Sequence, residues 1–157
     1  MNSHYSQYPL VMSQSLEQIR WDMKQLQAAI NRLCPPPRVL VIEDDDNDWF
    51  MIQRVLRGFY VDVHRAIDGE EAVVQIKNNK WDIILLDQMM PKLSGEEILR
   101  ETAGLMQGAK VILVTGLPDS SCIPKSLATG AKMIIPKPLT AETAELFFTP
   151  LESKAKP

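Results

Sequence analysis

Val39-Leu40-Val41-Ile42-Glu43-Asp44-Asp45-Asp46 decides the fold: four apolar residues run straight into four acids. A continuous apolar run of this length reads as a strand covered on both faces, as in a parallel sheet. The pattern recurs along the chain. Ile83-Ile84-Leu85-Leu86 runs into Asp87, Val111-Ile112-Leu113-Val114 into Thr115, and Met133-Ile134-Ile135 into Pro136-Lys137. A weaker run, Tyr60-Val61-Asp62-Val63, lies between the first two. Segments of helical period separate the runs, at about 47–57, 69–79, 94–104, 119–129 and 140–149. Asp68 and Gly69 ahead of Glu70-Glu71 mark a helix start, because acids favour the positive end of the helix dipole. Pro124 predicts a helix that begins near it or is distorted by it. Five strands alternating with five helices imply right-handed crossovers and an α/β fold, a doubly wound parallel sheet. Such sheets carry their sites at the carboxyl ends of the strands.

Two of the apolar strands end in acid at that edge. If both are central and parallel, Glu43, Asp44 and Asp87 converge in one cleft. Three carboxylates in one place repel each other unless a cation joins them. An all-oxygen donor set with room for water suits Mg²⁺. Asp45, Asp46 and Asp48 read instead as a solvated loop, with Asp46 the N-cap of the next helix. A calcium-binding loop fails on two counts: Trp49 stands where that loop needs glycine, and Val55 where it needs glutamate. Thr115 and Lys137, at the ends of two further strands, add a hydroxyl and an ammonium to the same edge. With a metal on one side and these donors on the other, the set suits a phosphoryl group.

These segments resemble a known family. LVIEDD (40–45), LLDQMMPKLSG (85–95), LVTG (113–116) and GAKMIIPKPLT (130–140) are similar to the signature segments of receiver domains in bacterial two-component response regulators. The resemblance spans roughly Arg38 to Phe147 and implies a five-stranded, flavodoxin-like sheet. It also implies roles. Asp87 would accept the phosphoryl group. Glu43, Asp44, Asp87 and the backbone carbonyl of Met89 would bind Mg²⁺, and Thr115 and Lys137 would hold the phosphoryl oxygens. Lys137-Pro138 matches the family's usual cis peptide. The donor would be a sensor histidine kinase or a histidine phosphotransfer protein. Met89 and Leu117 fall at the two positions that tune hydrolysis of the acyl phosphate in the family, and neither side chain orients water well, so slow self-dephosphorylation is expected. The chain departs from the family at Ile134, where receivers commonly carry an aromatic, and at Pro124, within the family's fourth helix.

With 157 residues, 45% of them apolar and 24% charged, the chain has the composition of an ordinary soluble globular protein. A net charge of −3 gives no general case for nucleic-acid binding. No apolar run nears the ~20 residues of a membrane helix. MNSHYSQYPL lacks the pattern of a secretory signal, and two cysteines are too few for a disulfide framework, so a cytoplasmic location is expected.

Pro35-Pro36-Pro37 marks the one sharp break, dividing residues 1–37, an amphipathic helix and its proline linker, from a receiver at 38–157. Ahead of the prolines, Met12, Leu16, Ile19, Met23, Leu26, Ile30 and Leu33 recur at alternating spacings of four and three, a heptad seam. The expectation is a homodimeric coiled coil through residues 12–34; packing back on the receiver and docking on another protein are the alternatives. Together these readings describe a stand-alone response regulator without an effector domain. It is not an enzyme beyond gaining and losing its own phosphoryl group. A constitutive scaffold indifferent to phosphorylation is the rival. A metal-dependent phosphatase lacks its second aspartate, since Met89 stands two residues after Asp87.

Overall fold

A computed structural model describes residues 8–90, 92–106, 108–116 and 130–148, with side chains from Ser15 onward. The chain divides between Pro36 and Pro37 into two compact units.

The first unit contains α1 (Tyr8–Leu33), a 26-residue helix about 39 Å long at 1.5 Å per residue. Ile19, Leu26 and Leu33 along the seam are exposed, as are Leu16, Met23 and Ile30; Leu33 retains 83% of its surface. Trp21, outside the seam, is exposed too. The helix closes with Cys34 N–H donating to the carbonyl of Ile30.

The second unit is built on a parallel sheet of β1 (Arg38–Ile42), β2 (Asp62–Ala66), β3 (Ile83–Asp87), β4 (Lys110–Thr115) and β5 (Met133–Pro136) in the order β2-β1-β3-β4-β5. The continuous apolar runs follow from coverage on both faces. Leu40, Ile42, Ile84, Leu86, Val111 and Leu113 point to one side, onto α3 (Gly69–Asn78) and α4 (Gly95–Thr102) through Ala72, Ile76, Ile98 and Leu99. Their alternates Val39, Val41, Ile83, Leu85, Ile112 and Val114 point to the other. There they meet Ile52 and Leu56 of α2 (Asp46–Leu56) and Ala144 and Phe147 of α5 (Ala141–Phe148). Ile134 packs against the first of these clusters as one more aliphatic side chain.

Three expectations shift. The second strand occupies Asp62–Ala66 rather than 60–63, and its sequence DVHRA is polar because β2 is an edge strand with only its last residue buried. The N-cap of α2 is Asp45, not Asp46: its carboxylate accepts from the N–H groups of Asn47 and Asp48. Asp46 opens the helix instead. The helix expected over 119–129, with Pro124, lies outside the described residues. The helix start read at Asp68 is present, and the structure adds a second cap, on α4. Asp68 caps α3 by accepting from Glu71 N–H, and Ser94 and Glu97 form a reciprocal capping box on α4.

The start of β1 is braced. Arg38 N–H donates to the Asp82 carboxylate (2.7 Å), and its guanidinium donates to the carbonyl of Lys80 (3.0 Å). The same guanidinium lies 4.4 Å over the Trp81 ring. The carbonyl of Pro37 is already paired, accepting from Asp62 N–H.

Candidate functional site

The strand order reverses at β1: the chain steps out from β1 to β2, then crosses back past β1 to β3. Val39 to Ile42 pair with Ile83 to Leu86, so the two strands finish side by side at the switch point. Glu43, one residue past β1, and Asp87, the last residue of β3, therefore meet. Ligand oxygens of Glu43, Asp44 and Asp87 lie within 4.8 Å of one another. Glu43 is 1% exposed and Asp87 5%. Asp44 is the more open of the three.

Lys137 closes the cluster from β5. Its Nζ donates to Glu43 Oε2 (2.8 Å), Asp87 Oδ2 (2.9 Å) and Asp48 Oδ2 (2.6 Å). The Lys137-Pro138 peptide is cis. Thr115, at the end of β4, is buried, and its carbonyl accepts from Lys137 N–H at 2.8 Å, tying the two strand ends together. Met89 N–H donates to Asp87 Oδ1 at 3.1 Å, while the Met89 residue is 77% exposed. Glu43, Asp44, Asp87, Met89, Thr115 and Lys137 all fall at this edge. Leu117 lies outside the described residues.

The electrostatics follow from burial. Desolvation pushes the Glu43 carboxyl above its ordinary range, and the Asp87 charge adds to the push against the lowering effect of Lys137. Burial works against the Lys137 charge. Hydrogen bonds to Asp48, Asp87 and Glu43 outweigh it and hold the ammonium above its ordinary value. Three acids on one ammonium, with Asp44 beside them, leave a surplus of negative charge that a divalent cation would offset. The all-oxygen donor set and its close spacing fit Mg²⁺.

Two residues of the site were not apparent from the sequence. Asp48 reads in the sequence as part of the solvated loop, yet it contacts the lysine. The overlooked signal is the helix period: α2 begins within the acid run, and Asp48, in its first turn, comes round toward the strand ends. Arg65 is the other. It grips the acid loop from β2, a contact that depends on β2 lying against β1 and leaves no local pattern. Close packing supports the loop after β3 as well. A Cβ on Gly95 would stand 2.7 Å from the Asp87 carbonyl oxygen, so this position keeps α4 against the strand end.

Residues 39–146 match the family model of the response regulator receiver domain. The chain is 34% identical over 107 residues to the response regulator MprA of Mycobacterium sp. (strain KMS), covering 68% of this chain and 46% of that protein. It is 30% identical over 101 residues to the transcriptional regulatory protein ZraR of Escherichia coli (strain K12), covering 64% and 23%. It thus spans less than half the length of these curated relatives. The solved CheY-like receiver domain protein of Methanospirillum hungatei JF-1 superposes with a TM-score of 0.65 at 28% identity, over 69% of this chain and 87% of that one.

Proposed function

The chain belongs to the receiver-domain family of response regulators, and from that premise we propose that it is switched by phosphorylation of Asp87. The observation that carries this reading is the meeting of Glu43, Asp44 and Asp87 within 4.8 Å, with the Lys137 ammonium 2.9 Å from Asp87. An Asp87 carboxylate oxygen attacks the donor phosphorus, and the bond from phosphorus to the donor's leaving group breaks. Lys137 neutralises the oxygens that arrive, and Thr115 donates a hydrogen bond to one of them. Mg²⁺, when bound by Glu43, Asp44, Asp87 and the Met89 carbonyl, supplies the positive charge that lets two anions approach. The donor is a sensor histidine kinase or a histidine phosphotransfer protein, met in the cytoplasm.

Acetyl phosphate with Mg²⁺ is expected to transfer a phosphoryl group to the protein, detected as a base-labile mass increase. EDTA should abolish it. A mass increase that ignores EDTA would contradict the reading.

The acyl phosphate should also be long-lived. The Met89 thioether is a weak acceptor and a poor guide for water, so Met89→Asn is expected to shorten the half-life several-fold. Phosphate release measured side by side decides the point, and a wild-type half-life no longer than the variant's would refute it.

Functionally the chain comprises a helix and proline linker, residues 1–37, and a receiver, 38–157. The α1 seam is filled by a second copy of α1. Its alternating four-and-three spacing suits a supercoiled partner helix better than the broader face a globular core requires. Flanking positions Ser15, Arg20, Asp22, Gln27 and Ala29 carry no run of like charge that would oppose pairing. Sedimentation equilibrium should give twice the mass of one chain, and Leu26→Glu should return it to that of one chain. A wild type that sediments as a monomer would rule out the pairing.

A further inference from the structure

We infer that Arg65 is a positioning residue for the divalent cation, acting through the backbone of the acid loop; the inference rests on the metal reading above. Its side chain leaves the end of β2 and crosses to the end of β1. Nε donates to the Glu43 carbonyl (2.9 Å), Nη2 to the Asp44 carbonyl (3.1 Å) and Nη1 to Asp46 Oδ1 (2.7 Å). The guanidinium also lies 5.4 Å over the Trp49 ring and is 15% exposed at the side chain. Glu43 N–H donates to the Ala66 carbonyl at 3.1 Å. The peptide that orients two of the three metal-facing carboxylates is therefore held from β2 on both sides.

Charge alone argues against this arrangement. A cation close to a divalent-cation site weakens binding, and the Asp46 carboxylate only partly offsets it. What the guanidinium adds is a rigid fork that spans three acceptors at once, something a lysine's point charge does not do. Partners that orient metal ligands from outside the coordination sphere are worth about 10–100-fold in metal affinity. They matter most for Mg²⁺, which demands near-ideal octahedral geometry, and less for Ca²⁺, which tolerates a flexible shell.

The two explanations predict opposite signs. If Arg65 positions the loop, Arg65→Gln raises the Mg²⁺ dissociation constant by about tenfold or more. The Ca²⁺ constant rises less, so the ratio of the two shifts toward Ca²⁺. Arg65→Lys, which keeps the charge and the stem, weakens Mg²⁺ binding as well. Isothermal titration of the full chain with each metal measures these constants. Amide exchange of the metal-free protein adds a separate readout: protection should fall at 43–46 and hold elsewhere on β1. Equal or tighter Mg²⁺ binding in Arg65→Gln, wild-type binding in Arg65→Lys, or an unchanged Mg²⁺-to-Ca²⁺ ratio would each overturn the inference. A wild-type chain that binds no Mg²⁺ would remove the metal reading itself, and the inference with it.

Discussion

Asp87→Asn is expected to take up no phosphoryl group from acetyl phosphate while folding as well as the wild type. The amide keeps the shape of the carboxylate but offers no anionic oxygen to attack phosphorus. It removes one of three acceptors around Lys137 and leaves the contacts to Glu43 and Asp48. It also removes the Asp87 charge that helps raise the Glu43 carboxyl. These changes act in opposite directions on stability, so the metal-free thermal midpoint should stay near the wild-type value or above it. Mg²⁺ binding should weaken, because one ligand has lost its charge. Mass spectrometry after acetyl phosphate treatment, paired with a melting curve, tests both halves. A variant that still gains phosphate would place the acceptor elsewhere.

Lys137→Met should carry a large stability penalty. Glu43 and Asp87 are almost wholly buried, and the ammonium that contacts both would be gone. Removing one partner from a buried charged cluster destabilises by about 3–5 kcal/mol. The exposed share of Asp48 adds little to that figure. The loss should depend on pH with a definite sign. Glu43 already binds its proton more tightly in the folded state than its ordinary value of 4.5 implies. Without Lys137 the hydrogen bond and charge that hold it down disappear, and it rises further. A raised carboxyl stabilises the fold when protonated, below its unfolded value, and that stabilisation is lost as pH rises through the folded value. The variant should therefore be weakest at neutral pH and recover as the solution is acidified toward the carboxylate range. Mg²⁺ should also restore it, by about 2.7 kcal/mol at a hundredfold excess over the dissociation constant. Urea unfolding at several pH values, with and without Mg²⁺, measures all three. A defect that ignores both pH and metal would show that Lys137 serves packing rather than charge.

The central strands and the acids at their ends were legible because the physics there is redundant. β1, β3 and β4 are covered on both faces, so each carries a continuous run of four apolar residues that stops where the strand leaves the core. β2 was displaced by two residues because an edge strand answers to weaker constraints: Asp62, His64 and Arg65 sit on it without penalty. The acid run at 43–48 was harder still. Three aspartates of one composition do three different things, capping α2, pairing with Arg65 and contacting Lys137, and only the helix that starts among them sorts the roles. Arg65 was illegible altogether, since its partners come from a loop twenty residues away in sequence and adjacent only in the sheet.

The brace at Arg38 has a mechanical consequence. β1 begins directly after the linker prolines, at Arg38. There the guanidinium is stacked on Trp81 and bonded to Lys80, and the amide is held by Asp82. The acids stand at the opposite end of the same strand, about 17 Å away at 3.3 Å per residue. The bonds that hold Arg38 thus anchor the base of the sheet, a strand's length from the geometry that Glu43 and Asp87 need.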